Sequence, residues 1–230
     1  MPISLCITTF ERYDLTIKSF EKVIDDPRID DIVILDDDSK NGDCEKLQKY
    51  FEGNEKVRLL RQFHNRGMSL NKRDAISYAG NEFVLLWDSD NIFDASYLDA
   101  LDTIGELRAD TIYCPDFARP KFNFKHFGGQ IFDRSNIKDL VSDSMGNVSA
   151  NTCNYVVPRD EYLRVYQHNP EMKATDTVYF ALLWLKAGNK FHIVKDMEYD
   201  HLTHPQSGFL QHCNYNMAKS AEIREQILAL

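Results

Sequence analysis

Asp88 and Asp90 stand one residue apart, directly after the apolar run Phe83-Val84-Leu85-Leu86-Trp87. A run without polar interruption reads as a strand buried on both faces of a parallel sheet, and open α/β sheets bind ligands at the carboxyl ends of such strands. Two carboxylates at that position can hold a hard divalent cation, which in turn holds phosphate oxygens. The competing use of the same pair is to cap the helix that follows. Two other apolar segments end in polar clusters: residues 3–7 run into Thr8-Thr9, and residues 31–35 run into Asp36-Asp37-Asp38-Ser39.

Clusters of this kind act together only if their strands are parallel neighbours. The first half of the chain alternates short apolar segments with helical patterns, the signature of βαβ units. Strands are expected at 3–8, 31–35, 57–61, 83–87 and 111–114, and helices at 14–24, 43–51, 69–79 and 95–107. Right-handed crossovers bring the carboxyl ends of these strands to one edge, so the three clusters should converge on a single crevice. Residues 115–154 carry Arg119, Lys121, Phe122, Phe124, Lys125, His126 and Phe127 without a clear period. They read as an antiparallel excursion plus loops; the aromatic side chains either stack on a ligand or pack as a loop. A strand at 155–157, helices at 159–166 and 175–187, a strand from 191 to 194 and a surface helix at 214–230 complete the expectation. The fold class is α/β, with a mainly parallel, Rossmann-like central sheet, helices on both faces and a smaller antiparallel portion. One domain spans residues 1–230.

Composition limits the partners. With 43% hydrophobic and 12% aromatic residues the chain has ample material for a core. A formal charge of −9 excludes the broad basic face that nucleic-acid binding and generic attraction to anionic lipid require. A phosphate ligand therefore needs local help, from a metal or a few placed cations. The five cysteines, Cys6, Cys44, Cys114, Cys153 and Cys213, lack the spacing of a zinc site or of a disulfide framework and point to a reducing compartment. No segment approaches the length of a membrane span and the N-terminus does not read as a signal peptide. The expected location is cytoplasmic, either free or at the cytoplasmic face of a membrane.

The order and spacing of these clusters resemble the family 2 glycosyltransferases and the wider GT-A group, most strongly over residues 3–91. Residues Ile3 to Arg12 are similar to the opening strand and turn that the family sets against the nucleotide base, with Glu11 where Asn is usual. Asp36-Asp37-Asp38-Ser39 is similar to its Asp-Asp-Gly-Ser element, with Asp38 in the place of Gly. His64-Asn65-Arg66-Gly67 followed by Lys72-Arg73-Asp74-Ala75 and Ala79-Gly80 resembles the succession ahead of its Asp-x-Asp motif, where Asp88-Ser89-Asp90 falls.

The resemblance implies a GT-A domain whose residues 1–114 bind a nucleotide sugar, UDP-linked in the first instance, and whose residues 115–230 bind a glycan, glycolipid or glycoprotein acceptor. Donor contacts are implied for Thr8, Phe10, Arg12, Asp36, Asp37, Asn65, Arg73, Asp88 and Ser89. The cofactor is Mn²⁺ or Mg²⁺, with Asp90 as direct ligand, Asp88 as ligand or ribose contact, and a histidine from His201 and His204, of which His201 is favoured; imidazole suits Mn²⁺ better than Mg²⁺. The cation stabilises charge growing on the departing diphosphate. Asp176, after Thr175, is similar to the second residue of the family's Glu-Asp element and implies a general base for an inverting transfer; its alternative use is to favour the helix dipole. Two rival functions remain. A nucleotidyltransferase is disfavoured because residues 8–12 contain no glycine, and a non-catalytic sugar-nucleotide-binding module is disfavoured by the intact Asp-x-Asp together with Asp176.

Overall fold

The computed structural model describes residues 2–149, 154–202 and 207–230. The first half folds as strand β1 (Ile3–Thr9), helix α1 (Tyr13–Phe20), β2 (Ile29–Asp36), α2 (Asp43–Tyr50), β3 (Val57–Arg61), α3 (Met68–Tyr78), β4 (Phe83–Asp88), β5 (Asn91–Ile92), α4 (Ala95–Asp102) and β6 (Thr111–Arg119). The remainder comprises β7 (Phe122–Asn123), β8 (Ile131–Phe132), α5 (Ile137–Val141), α6 (Gly146–Ser149), β9 (Tyr155–Pro158), α7 (Arg159–Val165), α8 (Asp176–Lys186), β10 (Lys190–His201), α9 (Gly208–Gln211) and α10 (Cys213–Leu228). Among the described residues these strands form one ten-stranded sheet in the order β3-β2-β1-β4-β9-β6-β10-β5, with β7 beside β6 and β8 beside β10.

Alternation along the buried strands supplies two cores. Leu5, Ile7, Leu85 and Trp87 point to the layer of α1, α2 and α4, whereas Cys6, Val84 and Leu86 point to the layer that contains α3, α7 and α8. Period-two side-chain direction explains how an unbroken apolar run serves both faces at once. Both tryptophans, Trp87 and Trp184, are fully buried in these cores.

The sheet is parallel through β3, β2, β1 and β4. Beyond β4 it is mixed, because β9 enters antiparallel between β4 and β6, pairing Val156 with both Leu85 and Tyr113. β10 then runs parallel to β6 and antiparallel to β5. The expected short strand at 191–194 extends to His201, past a register shift at residues 194–198. The expected helix at 95–107 ends at Asp102, and that at 14–24 ends at Phe20. The C-terminal helix α10 is no mere surface helix: Asn216, Ser220, Ile223 and Ile227 form a buried stripe, at the i, i+4, i+7, i+11 spacing of one helix face. Phe124 and Phe127 pack inside as a loop. Among the described residues no helix is long and apolar enough to cross a membrane, and Cys6, Cys44, Cys114 and Cys213 are free thiols. Cys153 and His204 lie outside the described residues.

Asp116 sits at the irregular part of the β6–β10 pairing and is 1% exposed. Its Oδ2 accepts the Asp196 N–H at 2.8 Å, while Oδ1 has no hydrogen-bond partner among the described residues. Burial pushes this carboxyl up to about 6, with Glu198 and Asp196 acting in the same direction and Lys125 against it. The folded state therefore holds the proton more tightly than the unfolded chain, and that stabilisation is lost as pH rises through about 6. Asp116→Asn should gain stability relative to the parent by roughly 1–3 kcal/mol between pH 4 and pH 7. Urea unfolding at both pH values measures this, and a pH-independent difference would contradict it.

Candidate active site

Register brings the strand ends together. Thr8 of β1 pairs with Asp88 of β4, and Thr9 pairs with Asp36 of β2, so the three polar clusters share one edge of the sheet. A cavity of about 770 Å³ opens there, within the range of small-molecule sites. Its lining includes Thr8, Phe10, Arg12, Asp37, Asn65, Asp88, Ser89, Asp90, Asp176 and His201. Asp36 and Arg73 are not part of that lining. Asp36 is fully buried and accepts the Ser39 N–H at 2.8 Å and the Ser39 hydroxyl at 2.5 Å, which makes it the anchor of the turn after β2. Arg73 is exposed and donates to its neighbour Asp74 at 2.9 Å.

The cation that α3 does turn inward is Lys72, which has little apparent signal beside Arg73 in the sequence. Met68, Asn71 and Lys72 all line the cavity, at the i, i+3 and i+4 positions of one helix face, and Arg73 is rotated away from it. The Lys72 side chain is 6% exposed, and its ammonium stands 3.6 Å from Asp88 Oδ1 and 3.4 Å from Asp176 Oδ2. Asp176 is the first residue of α8 and is itself buried. Lys72 thus offsets the repulsion between two carboxylates that come from distant parts of the chain. Asn154 is a second residue that pattern reading missed. Its amide oxygen accepts the Asp88 N–H at 2.9 Å, and its own carbonyl accepts the Tyr97 hydroxyl at 2.7 Å. These bonds orient the end of β4.

Neither Asp88 nor Asp90 caps the following helix; Asp94 does, accepting the Ser96 N–H at 3.0 Å. Asp90 instead meets Arg12 Nη1 at 2.8 Å. Asp37 accepts the backbone N–H groups of Arg66 at 2.7 Å and Gly67 at 2.9 Å, one on each oxygen, which ties the loop before α3 to the end of β2. Burial pushes the Asp37 carboxyl upward against the pull of these bonds.

Two departures from the family pattern fall on left-handed backbone: Glu11 has φ +51° and Asp38 has φ +68°. Asn and Gly are favoured there because other side chains crowd the carbonyl. Asp38 recovers contacts to Lys40 at 2.6 Å and Arg61 at 3.5 Å, whereas the Glu11 side chain is exposed. Glu11→Asn should raise stability by about 0.5–1 kcal/mol, read as a higher urea midpoint; an unchanged or lower midpoint counts against the strain.

His201 reaches the cavity because it pairs with Asn91 across the β5–β10 ladder, next to Asp90. Burial lowers its basicity while Asp88 and Asp90 oppose that effect. Its buried Nδ1 has no hydrogen-bond partner among the described residues, and its ring meets Phe122 edge-on at 5.2 Å. Among the described residues no three acidic, histidine or cysteine side chains are drawn into a ready-made metal cluster. The donor types nevertheless fit a divalent cation: two carboxylates on one turn and an imidazole that lines the same cavity.

The continuous sheet, the cavity at its carboxyl edge and the Asp-x-Asp turn define a GT-A domain. Residues 4–144, more than half of the chain, match the family described as glycosyl transferase family 2, and the chain belongs to that family. A cholesterol galactosyltransferase of Borreliella burgdorferi is 28% identical over 87 residues, which is 38% of this chain and 24% of that protein. The chain thus matches about a quarter of that relative's length. Among solved structures, residues 1–349 of S. aureus TarS in complex with UDP align with a TM-score of 0.69 at 15% identity, over 99% of this chain and 71% of that one. The mannosyltransferase PcManGT of Pyrobaculum calidifontis, solved with GDP-Man and Mn²⁺, aligns with a TM-score of 0.68 at 14% identity, over 96% and 64% of the two chains. At these identities the likeness extends to the fold.

Proposed function

We propose that this chain transfers a hexose from UDP to a hydroxyl of a glycan or glycoconjugate, with a divalent cation and with inversion at the anomeric carbon. The observation that carries the reading is the opening of Asp37, Asp88, Asp90, Asp176 and Lys72 into one cavity. Membership of glycosyl transferase family 2 supports it, as do the UDP and the GDP-Man bound in the two structural neighbours.

Thr8, Phe10, Asp37 and Asn65 bind the nucleoside, and Ser89 shapes the turn between the two motif carboxylates. Asp90, Asp88 and His201 would hold Mn²⁺ or Mg²⁺, whose charge offsets that building on the departing diphosphate. Arg12 and Lys72 add fixed positive charge to the same region. As the acceptor hydroxyl oxygen bonds to the anomeric carbon, its proton passes to Asp176. The bond from that carbon to the diphosphate breaks, and its electron pair leaves with the phosphate oxygen. A single displacement of this kind inverts the carbon. Lys72→Met should weaken donor binding by about ten- to a hundredfold, since a buried charged contact is worth roughly 1.5–3 kcal/mol; titration calorimetry reads this, and parental affinity would remove Lys72 from the donor site.

A thermal-shift series with UDP-glucose, UDP-galactose, UDP-N-acetylglucosamine and GDP-mannose, each with and without Mn²⁺, tests the whole reading. A ligand that binds only the folded state raises the melting temperature. The expected result is a rise with a UDP-sugar that depends on Mn²⁺. No rise with any of the four would end the proposal, and a rise with GDP-mannose alone would replace the nucleotide.

A further inference from the structure

The exposed large hydrophobic side chains are unevenly distributed. Phe10, Met68, Leu202, Leu210 and Met217 are all exposed, Met217 at 57%, and all five line the same cavity. Met68, Val148, Leu210 and Met217 give the lining a set of thioether and branched aliphatic side chains, beside Phe209. Met68 lies so close to Gly208 that a Cβ there would meet its methyl at 2.9 Å, which joins the start of α3 to α9 in one apolar surface. Sugar rings are held by flat aromatic faces and dense hydrogen bonding; Phe10, Phe122 and Phe209 supply aromatic rings to this lining, while the tryptophans are buried and the exposed Tyr50, Tyr78 and Tyr215 lie outside it. Thioether and branched aliphatic side chains instead adapt to alkyl chains.

Polar groups of α10 enter beside these apolar side chains. Along α10, Met217, Ser220 and Arg224 are spaced to share a face and all line the cavity. Ser220 is 4% exposed, and its hydroxyl has no hydrogen-bond partner among the described residues. Arg224 is anchored through Nη1 to Asn147 Oδ1 at 2.8 Å and through Nε to the Ser220 carbonyl at 3.2 Å, two of its five donors.

Building on the transferase reading above, we infer that the acceptor is an amphiphile: a hydroxylated head group held by Ser220 and Arg224, with an alkyl chain lying along Met68, Leu210 and Met217. The test is titration calorimetry of the protein with UDP and Mn²⁺, comparing octyl β-glucoside below its micelle concentration with methyl β-glucoside. Octyl glucoside should bind at least about tenfold more tightly, a difference of about 1.4 kcal/mol. The double variant Leu210→Gln/Met217→Gln, altered only at exposed positions, should bring the two affinities within about threefold. Equal affinities in the parent, or a preference that survives in the variant, would overturn the inference. The UDP titration in the same series reports separately on the donor: UDP binding without an octyl preference discards the amphiphilic acceptor alone, and an octyl preference without UDP binding discards the transferase reading while the apolar wall stands.

Discussion

Asp176→Asn should lower sugar transfer by about 10²–10⁴-fold, the usual worth of a positioned general base, while donor affinity stays within about threefold. The amide has the shape of the carboxylate and cannot take the acceptor's proton. Nor does the change strand a buried charge, because Lys72 retains Asp88 at 3.6 Å after losing its partner at 3.4 Å. Single-turnover transfer rates and a donor titration, measured on the same preparation, separate chemistry from binding. A parallel loss of both would mean that Asp176 serves mainly to hold Lys72 in place. Retention of full transfer would move the base elsewhere.

Asp90→Ala should remove the metal-dependent part of donor affinity, roughly a hundredfold or about 3 kcal/mol, while leaving the fold intact. The residue sits in the turn between β4 and β5, outside both hydrophobic cores. The variant also removes the Asp90 contact that Arg12 makes at 2.8 Å but keeps the Arg12 charge beside the donor site, so residual binding should become insensitive to Mn²⁺ and to chelators and not vanish outright. Donor titrations with Mn²⁺ and with EDTA make the comparison. Equal sensitivity of parent and variant to EDTA would end the assignment of Asp90 as a ligand. Because that contrast is read within each protein, a general loss of stability cannot mimic it.

The inner strands of the first half, β1, β2 and β4, were legible because most of their residues are buried on both faces. That burial leaves runs such as 83–87 with no competing interpretation, and the polar residues that end them mark the sheet edge. The element from 115 onward was less legible. β9 contributes only Tyr155–Pro158 to the middle of the sheet, and a strand that short carries no sign of its direction or neighbours. The long β10 was seen only as far as 194, because its register shift breaks the alternation before Glu198, Tyr199 and Asp200 resume pairing with β6.

Side chains in the cavity follow the same division. Local chemistry suffices to mark the acidic ends of β2 and β4 as groups at the sheet edge. Lys72 and Arg73 are adjacent cations with equal claims in the linear chain; a helix turns its side chains by a fixed angle at each residue, so packing of α3 against β1 and β2 alone settles that Lys72 enters and Arg73 stays outside. Asp36 and Asp37 are likewise neighbours on opposite faces, one sealed under Ser39 and the other open to the cavity. Residue type and spacing therefore declare the sheet edge and the class of chemistry. The orientation of each side chain, the Lys72 bridge between Asp88 and Asp176, and the meeting of α10 with that edge depend on contacts between segments far apart in the chain, where no local pattern records them.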